Sequence, residues 1–117
     1  MCGIAGYVSL DHAVIDGVVE RMTASLHHRG PDACGYYHDD VAQLGHRRLS
    51  IIDLATGQQP MTSESGDLWV IYNGEIFNHA ELRPPLEAAG HRYHSRSDTE
   101  TILHAYEQYG AEAPTHF

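Results

Sequence analysis

Lysine and arginine are scarce in this 117-residue sequence: seven together, against sixteen aspartates and glutamates, for a formal net charge of −9. That balance argues against nucleic acid or an anionic membrane as the main partner, because holding phosphates takes clustered cations. Long apolar runs are missing too. No stretch reaches the roughly 20 residues that span a bilayer, and the start has no basic region followed by an apolar run, so the expected protein is cytoplasmic, with neither leader nor membrane anchor. Cysteine is limited to Cys2 and Cys34. Without a dense cysteine framework both are read as thiols. There is no internal repeat, low-complexity segment or linker. The 42% apolar and 20% charged content therefore describes one globular domain able to bury about two-thirds of its unfolded surface.

Histidine, by contrast, is plentiful, with ten residues. Their spacing offers neither HExxH nor a paired CxxC arrangement. Surface or hydrogen-bonding histidines are the preferred reading, no residue is assigned to a metal, and a histidine-rich metal-binding protein stands as a rival hypothesis.

Apolar patterning predicts the elements. "CGIAGYVSL" reads as a short buried strand closely approached near Gly3 and Gly6. From Asp11 to about His28, the spacing of Ile15, Val18, Val19, Met22 and Leu26 predicts an amphipathic helix with Asp11 as its cap. Cys34–His38 and Val41–Ile52 read as strands of a hairpin turned by "HDD". "DLATGQQPMTSESGD" reads as a loop, and "LWVIY" as a strand buried on both faces. A helix over His79–Ala89 is interrupted by Pro84 and Pro85 unless it begins there. "SDTE" at Ser97–Glu100 matches a capping box, followed by a helical stripe of Ile102, Leu103, Tyr106 and Tyr109 that stops at Gly110. Together these predict an α+β fold with antiparallel pairing.

Four segments could carry chemistry. Removal of Met1 would expose Cys2 with a thiol nucleophile and an α-amine of pKa about 7.7–8.0, near enough to neutrality to act as its base; a chance small residue at position 2 is the alternative. In "GHRRLSIID" the pleat sends Arg47 and Arg48 to opposite faces, so one can point inward and clamp a ligand carboxylate, unless the strand is an edge with two solvated arginines. Asn73-Gly74 in "YNGE" reads equally as a type I′ hairpin turn or as two donors aimed at an oxyanion. Asp98 at a helix start is explained by the helix dipole, or it could grip a ligand ammonium.

Read in order, "MCGIAGY", "HHRGPD", "LGHRRLSIID", "QQPM", "YNGEIFNHAEL" and "SDTETILHAYEQYG" resemble the amino-terminal glutaminase domain of the asparagine synthetases. These are class II glutamine amidotransferases of the N-terminal nucleophile hydrolase fold. The wording favours this branch over the β-lactam synthetases and over the enzymes that make glucosamine phosphate or phosphoribosylamine. The resemblance covers essentially the whole chain. It implies a four-layer sandwich, two antiparallel sheets between helices, here incomplete at its C-terminal end, with residues 1–117 forming the N-terminal part of the domain.

The resemblance further implies L-glutamine as substrate and Cys2 as the nucleophile that forms a thioester, its own α-amine shuttling the proton. Asn73 and Gly74 would hold the oxyanion, Arg48 the substrate α-carboxylate, and Glu75 with Asp98 the α-ammonium. Arg29 would lie in the loop beside the nucleophile. No cofactor is expected in this chain; ATP and magnesium would belong to the absent synthetase domain that receives the ammonia. That domain, or a second copy of the chain, is the expected partner. A catalytically inactive glutamine-binding or partner-binding fragment of the same fold is the other alternative. Because the expected sandwich lacks strands, its sheet edges should associate; light scattering should then show oligomers, and a monodisperse monomer would contradict this.

Overall fold

The computed structural model describes residues 1–11, 13–50 and 55–117. The element order is β1 (Gly3–Val8), α1 (Val18–Ser25), β2 (Ala33–His38), β3 (Ala42–Arg48), β4 (Met61–Thr62), β5 (Trp69–Val70), α2 (His79–Ala88), α3 (Asp98–Tyr109) and a 3₁₀ segment, Gly110–His116. Both sheets are antiparallel, one of three strands in the order β1-β3-β2 and one of two, β4-β5. The α+β expectation with antiparallel pairing therefore holds. The chain forms two compact units, one of residues 1–51, 58–60 and 71–73, the other of 52–57, 61–70 and 74–117.

In the first unit β3 is the central strand, and its pleat decides what each face does. Gln43, Gly45 and Arg47 alternate onto one side, Leu44, His46 and Arg48 onto the other. Helix α1 packs on the first side: a Cβ at Gly45 would lie 1.9 Å from Thr23 Oγ1, and Val19 and Thr23 are fully buried there. Only a glycine lets the helix come that close. The predicted hairpin β2–β3 forms, its turn held by Asp39 Oδ1, which accepts from the amides of Val41 (2.7 Å) and Ala42 (2.6 Å).

Several predicted elements differ. Strand β1 is an edge, not a buried strand, with Ile4 and Val8 exposed, although Gly3 does lie against Leu26 as its glycine implied. Helix α1 is much shorter than Asp11–His28, and Asp11 does not cap it. Gly17, left-handed at φ 73°, is its N-cap, and the Ile15 amide upstream donates to Tyr7 Oη at 2.7 Å, which ties that segment to β1 instead of to a helix. Strand β3 stops at Arg48; Ile51 and Ile52, the end of the predicted strand, lie outside the described residues.

"LWVIY" contributes only Trp69 and Val70 to a ladder, and Trp69 is partly exposed. The backbone of Tyr72 is instead bonded by side chains, as described below. Its partner β4 arises within the predicted loop.

The second unit is built on α3. Leu86, Ala105 and Ala113 form its core, with Leu82, Tyr93 and Tyr109 packed around them. Helix α2 runs unbroken through Pro84 and Pro85, contrary to the expected interruption. Internal prolines cost a helix about 3 kcal/mol or more, while fully burying Leu86 returns roughly 1.5–3 kcal/mol, and Leu82, one turn away on the same face and partly buried, adds to it. Helix α3 begins at the predicted serine and ends at Gly110.

The capping box is modified. Ser97 Oγ accepts from the Thr99 amide, but Glu100 does not return to the Ser97 amide directly. Ser97 N–H donates to Ser95 Oγ, Ser95 Oγ–H donates to Glu100 Oε2, and the carboxylate also accepts from the amides of His94 and Ser95, both at 2.7 Å. Burial alone would raise the Glu100 pKa; the hydrogen bonds from His104, Ser95 and the two amides outweigh it and hold the carboxyl at about 2. A depressed carboxyl pKa stabilises the fold above the ordinary value of 4.5, and that contribution is lost as pH falls through about 2. Glu100→Ala should cost ~2–4 kcal/mol at pH 7, because it leaves buried donors unpaired, and less at pH 2, where the charge-dependent part of that stabilisation is mostly lost. Thermal melts at both pH values check this.

Candidate functional site

Cys2 lies just before β1, where a chain end would ordinarily fray. Three contacts hold it, one being the thiol's own donation to the Leu49 carbonyl at 3.7 Å. Arg29 Nε donates to the Cys2 carbonyl at 3.0 Å, and the Leu49 amide donates to Cys2 Sγ at 3.4 Å. The thiol is half-buried and free, as is the exposed Cys34. Met1, ahead of it, is 73% exposed.

The segment "HHRGPD" explains itself in this setting. Arg29 pins the first residue. Gly30 passes so close to β3 that a Cβ would sit 2.3 Å from the Arg47 carbonyl carbon and 2.6 Å from the Arg48 nitrogen. Asp32 closes the contact: its amide donates to the Arg48 carbonyl at 3.0 Å, and its Oδ2 accepts from the Ser50 amide at 2.7 Å. The loop therefore fastens Cys2 to the end of β3.

Of the two arginines, Arg48 is the inward one, 6% exposed. The alternative of a solvated edge strand fails, since β3 has a neighbour on each side. Arg47 turns to the α1 face, where a nitrogen of its guanidinium meets His27 Nδ1. Arg48 shares its face with His46, two residues before it.

His46 is a buried polar residue that sequence patterning did not single out. It is 1% exposed, and its Nε2–H donates to the Tyr72 carbonyl at 3.3 Å. From the other side the Tyr72 amide donates to Gln59 Oε1 at 2.5 Å. Both polar groups of the residue before Asn73 are thus fixed by side chains. Burial pushes the His46 pKa down; the Tyr72 carbonyl opposes this and the Arg48 charge adds to it. Gln59 belongs to "QQPM", and its glutamine was visible; that it reaches Tyr72 was not.

Asn73-Gly74 is not a hairpin turn. A bend occurs at Gly74, no strand follows it before α2, and it is not among the glycines of positive φ that a type I′ turn would need. Asn73 closes the first unit, while Gly74, Glu75 and Asp98 belong to the second. There Asp98 Oδ2, in the first turn of α3, accepts from the Ile76 amide at 2.8 Å. This fixes the backbone next to Glu75, so Asp98 does more than offset a helix dipole. Glu75 and Gly74 are exposed.

The first unit thus carries a held thiol near the chain start and the inward guanidinium of Arg48 at the end of β3, and the second carries Glu75 and Asp98 around one loop. A family model described as a glutamine amidotransferase domain matches residues 1–117. The chain is 43% identical over 117 residues to "Asparagine synthetase [glutamine-hydrolyzing] 1" of Bacillus subtilis (strain 168), covering 97% of this chain and 18% of that protein. It is 38% identical over 120 residues to "Asparagine synthetase [glutamine-hydrolyzing] 3" of the same organism, with 99% and 20% covered. To "Asparagine synthetase [glutamine-hydrolyzing] 1" of Arabidopsis thaliana it is 41% identical over 114 residues, with 96% and 19% covered. The chain thus spans about a fifth of the length of these curated relatives. Since the family model covers the chain from the pinned cysteine through the helix that carries Asp98, the chain belongs to the glutamine amidotransferase domain family.

Proposed function

We propose that this chain is the glutaminase part of an asparagine synthetase, with Cys2 as its nucleophile. The observation that carries the reading is the pinning of Cys2 by Arg29 and Leu49 behind an exposed Met1. Removal of that methionine leaves an amine and a thiol on one immobilised residue. The amine takes the thiol proton, and sulfur attacks the side-chain carboxamide of glutamine. The tetrahedral oxyanion is held by donors from Asn73 and Gly74, one such donor being worth about 3–4 kcal/mol. As the intermediate collapses, the C–N bond breaks, the proton passes from the α-ammonium to the leaving nitrogen, and ammonia departs. Water, deprotonated by the same amine, then opens the thioester to glutamate.

Arg48 is assigned to the substrate α-carboxylate, which a buried guanidinium can hold in a bidentate pair. Glu75 and Asp98 are assigned to the α-ammonium. Arg29, His46 and Gln59 act as positioning residues. The released ammonia would pass to an ATP-dependent synthetase domain outside this chain, in keeping with relatives about five times its length. ATP and magnesium would serve that domain alone. A four-layer N-terminal nucleophile sandwich and a cytoplasmic location complete the reading.

Intact mass should show loss of Met1, and Cys2→Ala should lower glutamate release by at least ~10³-fold with an unchanged melting temperature. Glutamine binding without turnover by the processed parent chain would instead identify an inactive binding fragment. His46→Gln should lower kcat/KM roughly 10-fold, the equivalent of about 1.4 kcal/mol for a lost positioning hydrogen bond. Because the His46 pKa is lowered, its stabilising contribution is present above the ordinary 6.5 and is lost as pH falls through the folded value. The parent should lose thermal stability below pH 6.5 more steeply than His46→Gln.

A further inference from the structure

Away from these residues, the second unit gathers His91, His104 and Glu107. One donor atom from each lies within 4.8 Å of the others, the one such group of three found among the described residues. Glu107 Oε2 is 3.3 Å from His91 Nδ1 and 3.3 Å from His104 Nδ1. Charge-assisted hydrogen bonds are usually shorter, about 2.7–2.9 Å. The edge of a tetrahedron with metal–ligand bonds of about 2.0–2.2 Å is roughly 3.3–3.6 Å. The two edges that meet at Glu107 Oε2 match that spacing, and the third lies within 4.8 Å.

Proton placement leads to the same point. His91 Nε2 faces the side-chain carbonyl oxygen of Gln108 at 3.2 Å, an acceptor, so the proton of the neutral ring belongs on Nε2. His104 is 2% exposed, and its Nε2 faces Glu100 Oε1 at 3.5 Å. That carboxylate likewise draws the proton to Nε2. In that tautomer each Nδ1 directs a lone pair at the same oxygen of Glu107; with the proton on Nδ1 instead, His104 would donate to Glu107 Oε2 in a long hydrogen bond of 3.3 Å. Three facing lone pairs repel unless a cation lies among them. Protonating both rings would supply charge, but at the expense of two imidazoliums whose centroids are 5.2 Å apart.

We propose that His91 Nδ1, His104 Nδ1 and Glu107 Oε2 form a zinc-class metal site, with water as a fourth ligand. Two imidazoles and a carboxylate suit Zn²⁺ better than magnesium or calcium, which prefer oxygen ligands. Glu100 is the outer carboxylate that holds His104 in the required tautomer. The ion would fasten the segment after α2 to the third turn of α3. Sequence spacing hides such a site: His91 is thirteen positions from His104, and the second pair meets only because i and i+3 share a helix face.

Zinc alone, titrated into the full chain carrying Cys2→Ala and Cys34→Ala to remove thiol ligands, should bind at one equivalent with a Kd below about 10 µM and raise the melting temperature. In that background His91→Gln and Glu107→Gln should each weaken binding at least 10-fold and abolish the thermal shift. His94→Gln, at an exposed histidine paired with Glu64, should change neither. With Cys2 restored, His91→Gln should hydrolyse glutamine like the parent, which separates this proposal from the glutaminase reading. Absence of stoichiometric binding, or binding unaltered by both His91→Gln and Glu107→Gln, would overturn the site.

Discussion

Chemistry at residue 2 depends on holding still the part of a chain that normally moves most. The Arg29–Cys2 hydrogen bond and the Leu49 amide on the sulfur do this here. Both anchors trace back to β3: Leu49 follows it directly, and the loop bearing Arg29 is pressed against Arg47 and Arg48 by Gly30 and tied to Ser50 by Asp32. A motif that looks like an unremarkable turn in the sequence is a fastening.

The central strand also sorts the surroundings by face. Its odd-numbered positions meet α1, closely enough to require Gly45, and its even-numbered positions present His46 and Arg48 to the opposite side. His46 and Gln59 then take the two backbone groups of Tyr72, which removes Tyr72 from any ladder and leaves Asn73 at the end of an immobilised segment. Ladder bonds were exchanged for side-chain bonds where a functional reading needs a fixed, non-repetitive backbone.

Two carboxylates in the first turn of α3 divide their work. Asp98 reaches out to the Ile76 amide, while Glu100 is buried and organises His94, Ser95 and, through Ser95, the N-cap Ser97. Both gain from the helix dipole, so local sequence cannot tell them apart. Their different pairings arise from which loop the tertiary fold lays against each.

Residue pattern by itself determined the α+β class, the β2–β3 hairpin, the start and stop of α3, and the opposite orientation of Arg47 and Arg48, because each follows from a local period or cap. The family was legible through the combined wording of the motifs, which resembles a glutamine amidotransferase. Tertiary structure decided which arginine turns inward, that Asn73-Gly74 is a bend and not a hairpin, that α1 starts only after Gly17, and that His46, Gln59 and Arg29 serve as anchors. It also brought His91 to His104 and Glu107. These outcomes rest on contacts between residues far apart along the chain, whose energies no local window contains.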